Sequence, residues 1–194
     1  ISAVNDTSGQ AQNYVALFTD ITAMKEHQQQ LEHIAHYDAL TGLPNRVLLT
    51  DRLQQAMLQN ERRNQSLALV YLDLDGFKAV NDNYDHQVGD ELLIAISRRM
   101  KEALREGDTL ARIGGDEFVA ILVDLQQITD CEPVLARLLQ AASSSIRLAD
   151  TELQLSASIG VTLHPQDNVD ADQLIRHADQ AMYIAKQEGK NRYH

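Results

Sequence analysis

Two carboxylates, Asp73 and Asp75, stand at the end of the apolar run Leu67-Ala68-Leu69-Val70-Tyr71-Leu72. Alternation along a strand sends both to one face. A carboxylate at the end of a buried strand is costly unless something compensates its charge. A second acidic pair, Asp116-Glu117, follows Gly114-Gly115 between two strand-like segments, 109–113 and 118–123. A hairpin over these residues could bring the second pair beside Asp73. Converging carboxylates repel one another unless a cation lies among them, and hard oxygen donors with little His or Cys suit Mg²⁺ or Mn²⁺. The two glycines let a ligand approach the backbone closely and permit positive φ. Each acid taken singly reads equally well as decoration of a strand end, and Gly-Gly alone as a tight turn. The two pairs together point to chemistry.

The remaining elements must position these residues. A helical apolar pattern over 46–60 (Val47, Leu48, Leu49, Leu53, Ala56, Met57) precedes the buried strand. A second over 91–104 follows it, with Leu92, Ile96, Met100 and Leu104 on one face. Pro133 falls in the first turn of a helix over 134–144, where its missing N–H does no harm. A second hairpin is expected from 146–148 and 153–162, turning at Asp150-Thr151. The last helix starts near Asp170 with Gln173 placed for a capping box, and buries Leu174, Ala178, Ala181, Met182 and Ala185. These elements predict an α+β fold, a mostly antiparallel sheet flanked by helices.

Upstream, Ile1 to Val4, the turn formers Asn5-Asp6-Thr7-Ser8-Gly9 and the strand-like Tyr14-Val15-Ala16-Leu17-Phe18 read as a hairpin. Two strands alone are marginal, so this piece reads as the remnant of a larger sheet. In the polar helix over 23–36, Ile21, Gln28 and Ala35 fall seven apart, as do Met24 and Leu31. Two readings stay open: a signalling helix that pairs with its copy, or a solvated linker.

Bulk properties narrow the function. A hydrophobic content of 44% suits a globular chain. No apolar run approaches the roughly 18–20 residues of a membrane span. The single cysteine, Cys131, cannot form an internal disulfide, which fits a reducing compartment. The net charge of −11 disfavours a nucleic-acid partner, although a divalent cation would still let an acidic protein hold a nucleotide. Without an initiator Met, the sequence reads as a piece of a longer chain.

Four separated motifs then agree in order: Asp38-Ala39-Leu40-Thr41-Gly42-Leu43-Pro44-Asn45-Arg46; Asp73-Leu74-Asp75-Gly76-Phe77-Lys78 with Asn81-Asp82; Arg112-Ile113-Gly114-Gly115-Asp116-Glu117-Phe118; and Ala178-Asp179 through Gly189-Lys190-Asn191. Through them the stretch from Asp38 to His194 resembles a GGDEF domain, the catalytic module of diguanylate cyclases. The resemblance implies a palm-like nucleotide cyclase fold with a ferredoxin-like core, and condensation of two GTP into cyclic di-GMP across a homodimer in the bacterial cytoplasm. It implies Asp73, the Leu74 carbonyl, Asp116 and Glu117 as ligands of Mg²⁺ or Mn²⁺, with Asp116 assisting deprotonation of the ribose 3′-hydroxyl. It implies Asn81 and Asp90 as readers of guanine, since a carboxylate accepts from N1 and N2 hydrogens that adenine lacks as a pair. His86, Gly114 and Gly115 match further substrate contacts. Lys78, Lys186 and Lys190 match basic residues near the phosphates, with Lys78 placed to stabilise developing charge; an exposed solubilising lysine is the alternative for each. Arg105 and Asp108 match the family's RxxD site for inhibitory product, where arginine can pair with phosphate and stack on guanine; a plain helix-to-strand turn is the alternative. Residues 1–22 resemble the closing strands of a PAS sensor, which makes 23–36 its transmitter and 37–194 the catalytic domain. The competing function is a non-catalytic receptor for GTP or cyclic di-GMP, and the phrasing of residues 38–46 and 189–194 resembles GGDEF domains that precede an EAL phosphodiesterase domain. A palm-type enzyme acting on ATP or nucleic acid is disfavoured by Asn81, Asp90 and the acidic surface.

Overall fold

The computed structural model describes residues 2–5, 11–15, 19–148 and 151–194. The chain divides into two compact units, 1–34 and 35–194. In the first, β1 (Ser2–Asn5) pairs antiparallel with β2 (Ala11–Val15), as the expected hairpin requires. Its turn residues 6–9 and the 16–18 part of its second strand lie outside the described residues. Helix α1 (Thr22–His36) starts where the Asp20 carboxylate accepts from the Thr22 N–H at 2.9 Å. Its Met24 and Leu31 are exposed.

In the second unit, α2 (Arg46–Arg63) is capped by Asn45, whose side chain accepts from the Val47 and Leu48 amides. The chain continues through β3 (Ser66–Asp75), α3 (Phe77–Asn83), α4 (His86–Glu102), β4 (Thr109–Gly114) and β5 (Glu117–Leu125). After a 3-10 turn come α5 (Glu132–Ser143), β6 (Ile146–Leu148), β7 (Thr151–Leu153), β8 (Ser156–His164), α6 (Ala171–Gln187) and β9 (Arg192–Tyr193). The main sheet has the order β4-β5-β3-β8-β9, antiparallel except where β9 lies parallel to β8. The α+β architecture is the one expected from the sequence.

β3 is the middle strand, and its alternation divides the core. Ala68, Val70, Leu72 and Leu74 point into a layer with Leu92, Ile96 and Met100 of α4 and Leu135 and Leu138 of α5. Leu67, Leu69 and Tyr71 point into a second layer with Leu49 and Leu53 of α2 and Leu174, Ala178 and Met182 of α6. Each fully buried leucine in these layers contributes about 1.5–3 kcal/mol. Both faces of β3 are therefore covered, which is why its run of apolar residues is continuous. Among the described residues no helix is long and apolar enough to cross a membrane.

Four local expectations are corrected. The second hairpin is not one long pair: Ile146 pairs with Leu153 in a separate two-stranded sheet, and the residues from Ser156 onward lie beside β3 instead. Buried Ile146, Leu153, Ala157 and Ile159 all lie in one core layer, so what changes along the segment is the ladder partner, from β6 to β3. Helix α4 starts at His86 rather than Glu91, because the Asp85 side chain accepts from the Val88 N–H at 2.9 Å and caps it earlier. It ends at Glu102, before Leu104. At α6, Asp170 accepts from the Gln173 N–H, and Ala181 is only half-buried.

α6 crosses β8 in backbone contact at Gly160. A Cβ there would stand 2.0 Å from the Ala178 carbonyl oxygen and 2.1 Å from the Met182 nitrogen. Neither atom can move without shifting the helix, so Gly160→Ala lowers the unfolding free energy by about 2–3 kcal/mol or more. Urea denaturation measures that difference.

Candidate functional site

The hairpin between β4 and β5 has Gly114 paired with Glu117, so Gly115 and Asp116 form a two-residue loop. An irregularity between Arg112 and Gly114 shifts the register at its base. Neither Gly114 nor Gly115 has positive φ, which corrects the conformational reason for glycine expected there. Space is the reason instead. A Cβ on Gly115 would meet nothing within 4 Å, and one on Gly114 would meet the Glu117 Oε2 at 3.1 Å. The loop backbone is left bare beside the carboxylates.

Pairing between β3 and β5 sets Asp73 opposite Glu117, on one face of the sheet. The Leu74 N–H donates to the Asp116 carbonyl at 3.2 Å and ties the loop to the strand end. The expected convergence of Asp73 and Leu74 with Asp116 and Glu117 is therefore present. Asp73 is 9% exposed. Burial, with the nearby Asp116 and Asp75 charges, pushes its carboxyl above the ordinary carboxylate range, against the hydrogen bond and charge of Lys186. The Lys186 Nζ stands 2.8 Å from the Asp73 Oδ1, delivered by the last turn of α6. Asp75 shares the face, as alternation requires, but its carboxylate is satisfied by the hydroxyls of Ser156 at 2.8 Å and Ser158 at 2.9 Å. The Asn191 N–H approaches it at 3.5 Å. Among the described residues no three His, Cys, Asp or Glu side chains already converge as a metal cage. Carboxylates beside a main-chain carbonyl, one of them reluctant to hold its charge, are nonetheless a donor set that fits Mg²⁺ or Mn²⁺ shared with a ligand's phosphates.

The residues expected to read guanine form a second cluster, one turn beyond β3. Gly76, at φ +86, swings the chain from β3 into α3. Asn81 on α3 packs on Gly89 of α4, where a Cβ would stand 2.0 Å from its Oδ1. That oxygen is buried without a hydrogen-bond partner. It fills the space that the missing Gly89 side chain leaves. Asp90 is the next residue on α4, His86 is its first, and both are exposed. Lys78 is exposed on the first turn of α3. Lys190 follows α6 in a left-handed conformation at φ 62, and its side chain is exposed.

Arg105 and Asp108 stand apart from both clusters, at the opposite end of β4, roughly 20 Å of strand from Gly114. Arg105 Nε donates to the Asp108 carboxylate at 3.2 Å and its Nη2 donates to the Val123 carbonyl. The Asp108 carboxylate also accepts from the Val123 N–H at 3.3 Å. Beside this pair lies a cavity of about 360 Å³ whose lining includes Arg52, Lys101, Arg105 and Asp108. Arg105 lies past the end of α4 rather than in its last turn.

Sequence reasoning quoted Asp38 and Arg112 within motifs but gave neither a role. Arg112 Nη1 donates to both Asp38 carboxylate oxygens, at 2.9 and 3.1 Å, while Nε and Nη2 donate to the Gly115 carbonyl at 3.0 and 2.8 Å. The Asp38 carboxylate also accepts from the Thr41 amide at 2.8 Å and hydroxyl at 2.6 Å. Burial works against the Asp38 charge, but the Thr41 hydrogen bonds and the Arg112 guanidinium outweigh it and hold the carboxyl below its ordinary range. One arginine thus joins the start of the second unit to the loop of the hairpin. The three-residue spacing from Asp38 to Thr41, typical of a carboxylate that caps its own turn, is a local signal for Asp38, and none points to Arg112.

Comparison with known proteins matches residues 35–192 to the family model "Diguanylate cyclase, GGDEF domain". The chain is 42% identical over 172 residues to the bifunctional diguanylate cyclase/cyclic di-GMP phosphodiesterase MucR of Pseudomonas aeruginosa, which covers 89% of the chain and 25% of MucR. It is 38% identical over 189 residues to the cyclic di-GMP phosphodiesterase PdeR of Escherichia coli, covering 96% of the chain and 28% of PdeR. The chain therefore spans about a quarter of the length of these relatives. Among solved structures, that of the diguanylate cyclase SiaD of Pseudomonas aeruginosa with its activator SiaC superposes with a TM-score of 0.76 at 36% identity, over 87% of this chain and 65% of that one.

The Asp38–Arg112 pair yields a pH-dependent prediction. Asp38→Ala leaves the Arg112 guanidinium, 13% exposed, without its carboxylate, at a cost of about 1.5–3 kcal/mol at pH 7. A carboxyl depressed in the folded state contributes stability above its unfolded pKa and loses it as pH falls through the folded value. The gap between wild type and Asp38→Ala therefore narrows below roughly pH 4. Urea unfolding of both proteins between pH 7 and pH 3 measures it.

Proposed function

The chain belongs to the GGDEF family, and from that premise we propose that it condenses two GTP molecules into cyclic di-GMP and two pyrophosphates. The observation that carries this reading is the meeting of Asp73 and Leu74 with the Asp116-Glu117 hairpin, next to the Lys186 ammonium. Each domain holds one GTP, and two domains face each other so that each 3′-hydroxyl attacks the α-phosphate of the other nucleotide. A bond forms between the 3′-oxygen and the α-phosphorus, the bond to the bridging oxygen of pyrophosphate breaks, and the hydroxyl proton passes to Asp116. Asn81 and Asp90 hold the guanine edge, and the packing of Asn81 on Gly89, next to Asp90, supports that assignment. Substrate contacts by His86 and by the bare backbone of Gly114 and Gly115 belong to the same reading. Lys186 and Lys190 hold the triphosphate, and Lys78 stabilises charge developing at the reacting phosphate. Mg²⁺ or Mn²⁺, held by Asp73, the Leu74 carbonyl, Asp116 and Glu117, supplies neutralisation of the phosphate charge. Product bound at Arg105 and Asp108 inhibits from outside the catalytic cleft, and the cavity beside them, lined by Arg52, Lys101 and Arg105 as well as Glu106 and Asp108, offers an anionic occupant basic partners.

A specific observation favours a second reading: PdeR, 38% identical over nearly the whole chain, is named a phosphodiesterase only. In that reading the domain is a non-catalytic receptor for GTP or cyclic di-GMP that governs a neighbouring activity. Retention of Asp73, Lys78, Gly114, Gly115, Asp116 and Glu117 supports the cyclase instead.

Incubation with GTP and Mg²⁺ across a range of protein concentrations separates the two. The cyclase reading expects cyclic di-GMP with a specific activity that rises with concentration, no product from ATP, and loss of product in Asp116→Ala with the fold retained. No product from GTP at high protein concentration favours the receptor.

A further inference from the structure

Three consecutive residues between α6 and β9 have left-handed backbone: Gly189 at φ 117, Lys190 at φ 62 and Asn191 at φ 48. The end of the helix explains the first. The Gly189 N–H donates to the Lys186 carbonyl at 3.4 Å and the Lys190 N–H to the Ala185 carbonyl at 3.1 Å. These are the paired bonds of a Schellman cap, with glycine at its left-handed position. The cap makes no such demand on Lys190 or Asn191. Left-handed backbone is costly for L-residues and is routinely visited only by glycine, with asparagine and aspartate next, and then singly. Asparagine at 191 meets that preference and lysine at 190 does not. A strained pair persists only where its surroundings fix it. On one side stands the cap of α6. On the other the chain runs straight into β9, with Arg192 paired to Ser158 and the His194 N–H donating to the Ile159 carbonyl at 3.0 Å. Between them the Asn191 N–H faces the Asp75 carboxylate at 3.5 Å. Residue 191 is exposed, so its side chain fills no core space.

We infer that Asn191 is a positioning residue for Lys190: its tolerance of left-handed backbone sets the path of the turn, and so the place of one lysine relative to the other. Lys186 lends its carbonyl to the cap and its ammonium to Asp73, and Lys190 leaves the same cap next to Asn191. The inference rests on the proposed reading of these two lysines as partners of the triphosphate. A long, flexible side chain loses less freedom on meeting a phosphate when its own backbone is already fixed. The competing role for the turn is to bring β9 to the sheet and nothing more. Substitutions at 191 would then change stability and leave nucleotide binding alone.

Titration of 3′-deoxy-GTP with Mg²⁺ into the protein reads nucleotide binding without turnover, because the attacking hydroxyl is absent. Asn191→Val, whose branched side chain disfavours the left-handed region, is expected to raise the dissociation constant roughly tenfold, the loss of one charge-assisted phosphate contact. Asn191→Gly keeps that region open and binds as wild type does. Lys190→Ala weakens binding as well, and Asn191→Val adds nothing in the Lys190→Ala background. Asn191→Ala strains the same φ with a smaller side chain and weakens binding too, so the test does not hinge on the folding of the valine variant. Wild-type binding in either Asn191→Val or Asn191→Ala would overturn the inference. The same holds if Asn191→Gly weakens binding as much as Asn191→Val, or if Asn191→Val weakens Lys190→Ala by the factor it imposes on wild type. Absence of saturable binding to wild type overturns it as well. A wild-type protein with the expected coupling that forms no cyclic di-GMP from GTP overturns the cyclase reading and leaves the role of Asn191 standing.

Discussion

Negative charge crowded at the end of a buried strand is the constraint on which the rest of the second unit depends. β3 carries Asp73 and Asp75 out of a layer of leucines, and the hairpin adds Asp116 and Glu117 beside them. In so poorly solvated a place, carboxylates repel strongly and lose their water. The fold answers with groups drawn from distant parts of the chain: the Lys186 ammonium from α6, the Ser156 and Ser158 hydroxyls from β8, and the Asn191 amide beyond α6. Asp75 is fully provided for in this way. Asp73 is not, and its raised pKa marks the place where positive charge is still wanted.

The supports are arranged by rigidity. β3 is covered on both faces by packed helices, so the carboxylates start from the least deformable strand of the sheet. The hairpin is less enclosed and is fastened at discrete points: the Leu74 amide on the Asp116 carbonyl, and the Arg112 guanidinium between the Gly115 carbonyl and Asp38. The Asn81–Asp90 cluster is carried by two helices that pack through Gly89, whose missing side chain is filled by the Asn81 amide. Short fastened loops on a stiff strand hold side chains in precise mutual positions.

Much of this was legible in the sequence for a physical reason. The continuous apolar run of 67–72 has strand length and read as a strand covered on both faces, and the acids at its end, taken with the second pair, pointed to a site. The Gly-Gly turn with two acids was legible as a hairpin because turn chemistry is local. What escaped was non-local. The split of the second hairpin into β7 and β8 depends on which strand each residue pairs beside, β6 for Leu153 and β3 for Ile159, and both enter the same core layer and look alike in the sequence. The bridge from Asp38 to Arg112 spans 74 residues and has no periodicity to reveal it. Glycine at 114 and 115 was read through its conformational freedom, whereas the folded hairpin uses the volume it leaves empty.

Gly160 shows how far such an empty volume can reach. The backbone of α6 rests on β8 at this residue, and the same helix carries Lys186 to Asp73 two turns later. The lysine's height above the carboxylate thus depends on a single hydrogen atom standing where a side chain would, on the same sheet face. Position 160 and Lys186 are therefore coupled through the seating of one helix. A side chain at this buried glycine would displace α6 and with it the Lys186–Asp73 contact, with both charged groups still in the sequence.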